Sequence, residues 1–349
     1  LTQSLRTAVV GVSGYAGGEL ARLLLAHPRL QAAPPLFLGR GEGGVSLTSI
    51  HPELKGPGRD AIQVEPFSWE LLGDRGIELL FLATPHEQSR EWVPEAIAHG
   101  LRVVDLSGAW RLQIEANRAV YKFVDTDKAT AALVQAKTVY GMPELHRAEI
   151  ANAQVVANPG CYATSVILAL KPLVAAGWVD LNHGIVCDAK SGVSGAGKAA
   201  TAKTHFMYAA DNLSAYGLFG HRHLGELLEQ VGVSDEQITF TPHLLPIPRG
   251  ILSTIYLRFT QQRNSEEIAA CIRNFYKNSP MVRLYASPEL PQIQYSVRTN
   301  YCDLGFHLGP DQRRCILVSC LDNLLKGAAG QAVQNMNVMY GWGEAEGLL

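Results

Sequence analysis

The run Thr7-Ala8-Val9-Val10-Gly11-Val12-Ser13-Gly14-Tyr15-Ala16-Gly17-Gly18-Glu19-Leu20 decides the fold. Its first residues read as a buried strand, and leucines at 20, 23 and 24 mark one face of a helix that His27-Pro28 stops. Gly11, Gly14 and Gly17 stand between the two, three residues apart. Such a turn brings the backbone close to a pyrophosphate, whose charge the helix N-terminal N–H groups and dipole then meet. The spacing is not G-x-G-x-x-G, and an ordinary strand-to-helix turn also wants glycine. The position in the first strand-turn-helix unit favours the dinucleotide reading.

Working outward, a second strand ends at Phe37-Leu38-Gly39-Arg40. An NAD site would place a carboxylate there, whereas the Arg40 guanidinium suits a phosphate and points to NADP. Strands at 78–83 and 101–106, with a helix at 87–99 between them, continue the alternation, so the sheet is expected to be parallel. From about residue 155 the pattern changes to a helix over 163–176, a glycine-rich stretch, and long antiparallel-type strands at 251–259 and 314–320. The helical stretch 324–340, with Ala, Val and Met on one face, is expected to pack back on the first domain. The expected division is therefore 1–156 completed by 324–349, and 157–323.

The 349 residues carry 30 Lys+Arg against 32 Asp+Glu, a formal charge of −2, and 47% are hydrophobic. A near-neutral chain with no basic run lacks the electrostatic footprint of a nucleic-acid binder. No apolar run reaches membrane-spanning length, and residues 1–12 do not read as a signal peptide. Six cysteines without a C-x-x-C pair do not make a disulfide framework, so a reducing cytoplasm is expected, with one reactive thiol and five core thiols.

That reactive thiol is Cys161, in Asn158-Pro159-Gly160-Cys161-Tyr162-Ala163-Thr164. A helix beginning at or just after it lowers a thiol pKa from about 8.5 and makes a nucleophile. Its proton partner is one of the paired histidines in Gly220-His221-Arg222-His223-Leu224-Gly225-Glu226. Glu226 is placed to hold the second of them, which favours His221 as the acid-base. No third His or Cys at ligand spacing supports a metal. Arg111, in Ser107-Gly108-Ala109-Trp110-Arg111 after a strand end, is a candidate clamp for an anionic substrate group. The stretch Ser191-Gly192-Val193-Ser194-Gly195-Ala196-Gly197-Lys198 offers amides to a cofactor or phosphate and is not a P-loop.

Taken together, GVSGYAGGEL, LSGAWRL, YGMPEL, NPGCYATS, KSGVSGAG, HRHLGE, PRGIL and DNLLKGAAGQAVQNMN resemble the N-acetyl-gamma-glutamyl-phosphate reductases across nearly the whole chain. The resemblance implies a Rossmann-type NADP-binding domain plus a glyceraldehyde-phosphate dehydrogenase-like α+β domain, in a cytoplasmic homodimer or homotetramer of arginine biosynthesis. It implies NADPH-dependent reduction of N-acetylglutamyl phosphate through a thioester on Cys161, with Arg111 binding the acyl phosphate. It places Ser13, Gly14, Tyr15, Ala16, Arg40, Ser194, Gly195 and Asn323 against NADP, and leaves Arg249 as the candidate for recognising the acetyl group or carboxylate. The family often has Ser-Ala-Asp-Phe-Arg where this chain has Ser-Gly-Ala-Trp-Arg. The same chemistry on aspartyl or aminoadipyl phosphate, a non-catalytic NADP sensor and a thiol hydrolase are the alternatives.

Overall fold

The computed structural model describes residues 4–39, 41 and 44–349. These residues fall into two compact units. The first runs to Gln113 and includes Tyr121–Asn158 and Ala328–Leu349, and the second consists of Ile114–Val120 and Pro159–Gly327.

In the first unit the described residues form an eight-stranded sheet. Its strands are β1 (Thr7–Val10), β2 (Leu36–Gly39), β3 (Val45–Ser46), β4 (Gln63–Pro66), β5 (Leu79–Leu82), β6 (Arg102–Asp105), β7 (Thr138–Tyr140) and β8 (Val155–Ala157), in the order β3-β4-β2-β1-β5-β6-β8-β7. Every pairing is parallel except β3 with β4 at the edge. The central strands β1 and β5 are buried along their whole length because both faces are covered, and β5 is apolar at every position. All four residues of β5, Leu79, Leu80, Phe81 and Leu82, are fully buried.

The C-terminal helix Gly330–Met339 differs from the amphipathic expectation, since all ten of its residues are buried. Its amide side chains are tolerated there because they find partners. Asn335 donates to the Gly141 carbonyl at 2.8 Å and to Asn158 Oδ1 at 3.0 Å, and Gln331 donates to Gly141 at 3.1 Å.

The second unit has a seven-stranded mixed sheet built from β9 (Ile185–Gly192), β10 (Ser214–Ala215), β11 (Ile238–Leu245), β12 (Ile251–Arg258), β13 (Val282–Leu284), β14 (Cys302–Leu308) and β15 (Arg314–Leu321). Their order is β10-β11-β9-β12-β15-β14-β13. Here the pattern alternates: Ile251, Ser253, Ile255 and Leu257 of β12 face inward, while Tyr256 on the other face is exposed. The inward face packs on the helix Cys161–Ala175, where the Ser165 hydroxyl lies within hydrogen-bond distance of those of Ser253, at 2.9 Å, and Ser319, at 3.0 Å. Four of the five remaining cysteines are buried as expected, but Cys271 is only half-buried. No helix of the described residues is long and apolar enough to cross a membrane.

Candidate active site

In the first unit, the C-terminal ends of the parallel strands border a cleft of about 450 Å³ whose lining includes Gly11, Ser13, Gly14, Gly39, Thr84 and Trp92. This is the end of a parallel sheet where ligands are received. The helix Tyr15–Ala26 starts here from Gly14, in extended conformation, with neither a side-chain cap nor an acidic residue in the first turn. Its first amides have no partners within the helix, and its positive end is offered to an anion. Gly11 has φ +88°, and a Cβ on it would stand 2.3 Å from the Ala83 carbonyl oxygen, so both conformation and space require glycine. Tyr15 is exposed, Ala16 half-buried and Gly17 buried within the helix start. Arg40, expected to take the cofactor phosphate, lies outside the described residues.

Arg111 is buried in this unit. Its Nε donates to the Asn158 carbonyl at 2.7 Å and its Nη2 to the Leu106 carbonyl at 2.8 Å, so it holds two strand-end turns in place. The neighbouring Trp110 is fully buried, with Nε1 donating to the Ser89 carbonyl at 3.1 Å and the Arg90 guanidinium 3.7 Å from its ring centroid. His86 and Gly108 meet through a 2.7 Å bond from the glycine N–H to Nδ1.

In the second unit, a pocket of about 210 Å³ is lined by Cys161, Tyr162, Gly195, Tyr216, His221 and His223, among others. Cys161 is the first residue of the 15-residue helix Cys161–Ala175, whose N-cap Gly160 supplies no side chain. The thiol therefore sits at the positive end of the helix, where a thiolate is favoured. Glu226 is fully buried, accepts the Gly160 N–H on Oε2 at 2.9 Å, and places Oε1 4.0 Å from His223 Nε2. One carboxylate thus holds both the peptide before the nucleophile and one imidazole. A Cβ on Gly160 would stand 2.3 Å from His223 Nε2, which shows how closely that ring lies on the turn.

His221 accepts the His223 backbone N–H on Nδ1 at 3.1 Å, which leaves Nε2 as the protonated nitrogen of the neutral ring. Burial, aided by the Arg222 charge, pushes its pKa down to about 4. Its ring stands edge-on to Tyr162 and Tyr216, with centroids at 5.6 and 5.5 Å. Burial pushes the Tyr216 phenol up to about 12, so it keeps its proton at neutral pH.

The remaining expected residues lie near this pocket in the chain but have other partners. Asn323 is buried, accepts the Gly250 N–H at 2.7 Å and donates to Ser194 Oγ at 2.9 Å, so it fixes the Val193–Ala196 turn. Arg249 pairs through Nε with the fully buried Asp322 at 3.1 Å. The structure therefore brings Gly11, Ser13 and Gly14 to one cleft, and Cys161, Gly195, His221 and His223 to one pocket. Arg111, Arg249 and Asn323 are not in the lining of either. Sequence reasoning missed Tyr216, Lys203 and Arg222 as lining residues, although Arg222 stands between the two histidines it did find. Among the described residues no cluster of three or more His, Cys, Asp or Glu is arranged to hold a metal.

Residues 6–153 match the family described as semialdehyde dehydrogenase, NAD binding domain, and residues 161–323 match semialdehyde dehydrogenase, dimerisation domain. The chain is 42% identical to the N-acetyl-gamma-glutamyl-phosphate reductase of Desulfotalea psychrophila over 99% of its length and 98% of that protein's. It is 38% identical to the protein of that name from Methanocaldococcus jannaschii, over 98% and 97%. Among solved structures, aspartate semialdehyde dehydrogenase II from Vibrio cholerae superposes with a TM-score of 0.70 at 17% identity, covering 97% of this chain and 98% of that one. The aspartate semialdehyde dehydrogenase of Candida albicans, solved with NADP, gives 0.67 at 15% identity over the same shares. At those identities the likeness is one of fold.

Proposed function

As the chain belongs to the semialdehyde dehydrogenase family, and within it to the N-acetyl-gamma-glutamyl-phosphate reductases, we propose that it reduces N-acetylglutamyl 5-phosphate to the 5-semialdehyde through a thioester on Cys161. The first unit is its NAD(P)-binding domain and the second carries the dimerisation domain. The reading takes NADP as the cofactor, a cytoplasmic homo-oligomer as the working form, and arginine biosynthesis as the setting. Residues 1–156 with 324–349 then serve the cofactor, and 157–323 serve catalysis and assembly.

The observation that carries the reading is the helix start at Cys161, with two histidines and a buried carboxylate gathered on it. We assign the Cys161 proton to His223 in place of His221, which the sequence favoured, because Glu226 Oε1 stands 4.0 Å from His223 Nε2 while burial keeps His221 neutral. Cys161 Sγ attacks the acyl carbon, the bond to the bridging oxygen breaks, and phosphate leaves with that electron pair and the proton held by His223. His221 stays neutral and offers Nε2–H to the oxygen on which negative charge gathers. Tyr216, protonated at neutral pH, is a second donor in the same pocket. Bound NADPH supplies the hydride that brings the acyl group to the aldehyde level. The thiohemiacetal on Cys161 then collapses, with Sγ leaving as thiolate.

The Gly11–Gly14 turn fits the pyrophosphate by its uncapped helix end, and Ser13, Tyr15, Ala16 and Gly17 belong to that contact in this reading. Ser194, Gly195 and Asn323 are proposed on the nicotinamide side, with Asn323 acting through the Ser194 turn it holds. Arg111, which also fixes the turn at Asn158, is proposed as the ligand of the acyl phosphate, and Arg249, paired with Asp322, as the residue recognising the acetyl group or carboxylate. The test is phosphate-dependent reduction of NADP with each semialdehyde. Turnover with N-acetylglutamate semialdehyde well above that with aspartate semialdehyde supports the reading, and the reverse preference overturns it.

A further inference from the structure

The sheet of the first unit has a second concavity, at the N-terminal ends of its parallel strands, away from the cofactor cleft. It measures about 320 Å³ and gathers residues at or near the starts of β1, β2, β4 and β5, among them Arg6, Thr7, Gln63, Glu65 and Arg75. Pro34 and Pro35 form part of its wall, and their fixed φ angles make that wall stiff. None of these residues takes part in the reaction proposed above.

The charges in this lining do not balance, since two guanidiniums face one carboxylate. Glu65 accepts from Arg75 Nη2 on both oxygens, at 3.2 and 3.3 Å, whereas Arg6 Nη1 reaches only the neutral Arg75 carbonyl, at 3.2 Å. Glu78 accepts the Arg6 main-chain N–H at 3.2 Å, but among the described residues the Arg6 guanidinium makes no ion pair. Thr7 supplies a second unmet group, being 1% exposed with a hydroxyl that has no hydrogen-bond partner. A buried hydroxyl left in that state costs free energy that a bound acceptor recovers. Surplus positive charge, an unpaired hydroxyl and apolar walls from Pro34, Pro35 and Ile77 together suit a small anion with an apolar body.

We propose, independently of the acyl-phosphate reading, that this cavity binds a small organic carboxylate through Arg6 and Arg75, and that its occupancy weakens dinucleotide binding through Glu65. A carboxylate takes two parallel bonds from a guanidinium, and its single charge equals the surplus in the lining. Glu65 lines both this cavity and the cofactor cleft. Its pair with Arg75 is partly exposed, at 33% and 55% of the two side chains, so little holds it against a competing carboxylate. When Arg75 turns to the ligand, Glu65 stands with its negative charge uncompensated at the edge of a cleft that must take the cofactor's phosphates. The two ligands therefore oppose each other, and linkage makes the opposition reciprocal.

The test uses 4-methylpentanoate as the probe and 4-methylpentanamide as its uncharged control, with binding to the full chain read by isothermal titration calorimetry. The carboxylate is expected to bind at about 1 mM or tighter, and the amide about tenfold more weakly or worse. Arg6→Gln should weaken the carboxylate about tenfold and Thr7→Val about threefold, and Thr7→Val, which removes an unpaired hydroxyl, should not lower the urea midpoint. Saturating carboxylate should raise the Kd for NADPH about threefold or more, and Glu65→Gln should abolish that coupling while still binding the carboxylate. Carboxylate binding no better than that of the amide, or unchanged in Arg6→Gln, overturns the site. Inorganic phosphate binding more tightly than the carboxylate overturns the ligand class, and a coupling that survives in Glu65→Gln overturns the route through Glu65. None of these readouts needs turnover, so a chain that binds the carboxylate yet reduces no acyl phosphate keeps the site and breaks the reductase reading.

Discussion

The helices Tyr15–Ala26 and Cys161–Ala175 begin alike. Each follows a glycine in extended conformation, Gly14 at φ −79°, ψ 168° and Gly160 at φ −73°, ψ 148°, and neither has a side-chain cap or an acidic residue in its first turn. Each therefore presents the positive end of a dipole with no side-chain cap on it. They differ in what meets that end. At the first, the cleft before the helix is lined by Gly11, Ser13, Gly14, Thr84 and Trp92 among others, and the anion is left to a ligand. At the second, the first helical residue is a cysteine, so the anion is one of the protein's own atoms, and side chains from residues 216–226 are packed on it. A backbone-built end depends on conformation and space, while a side-chain-built end depends on chemistry.

The largest effect should come from removing the built-in anion. Cys161→Ser is expected to lower kcat by about a thousandfold or more, with the cofactor dissociation constant, read by fluorescence titration, unchanged within about twofold. If the cofactor affinity fell in step with kcat, the two helix starts would not be separable.

Next is the spacing at the second start. Gly160→Ala puts a methyl where His223 Nε2 now lies 2.3 Å away, so the imidazole must move. A displacement of that size is expected to cost about a hundredfold in kcat with little change in the cofactor constant. Normal kcat in this variant would show that the His223 position does not matter.

Gly11→Ala tests the first start by conformation. With φ +88° and the Ala83 carbonyl in the way, it is expected to destabilise the fold by about 1–3 kcal/mol and to weaken the cofactor more than it lowers kcat. Denaturant midpoints and titrations with NADPH read the two effects.

The smallest effect is one of pH. His221 has its folded pKa pushed down to about 4, against 6.5 when unfolded. Between those values the unfolded chain binds the proton and the folded chain does not, so this group's stability contribution is whole above 6.5 and is lost as pH falls toward 4. Urea midpoints should fall more steeply over that window in the wild type than in His221→Gln. Equal slopes would mean that the ring is not held neutral.

The features legible in the sequence were the local ones. The strand-glycine-helix run, the apolar runs of the parallel sheet and the helix start at Cys161 are each set by a dozen or fewer consecutive residues. Long-range partners were not legible. Spacing placed Glu226 beside His223, but nothing in it announced the bond from Gly160, 66 residues away. The buried amides of Gly330–Met339 hid their helix's full burial, because polar residues read as an outer face unless their partners are known. Nor did the sequence announce that Arg111 donates to the Asn158 carbonyl and Asn323 to the Ser194 hydroxyl. Lys203 was missed because the exposed excursion carrying it has no periodicity that points to a pocket.

The most direct measurement is mass spectrometry of the chain mixed with N-acetylglutamyl phosphate in the absence of NADPH. The account predicts one N-acetylglutamyl adduct per chain, carried by the peptide containing Cys161, hydroxylamine-labile as a thioester is, and absent from Cys161→Ser. Phosphate release with no adduct, or an adduct on any other residue, would contradict it.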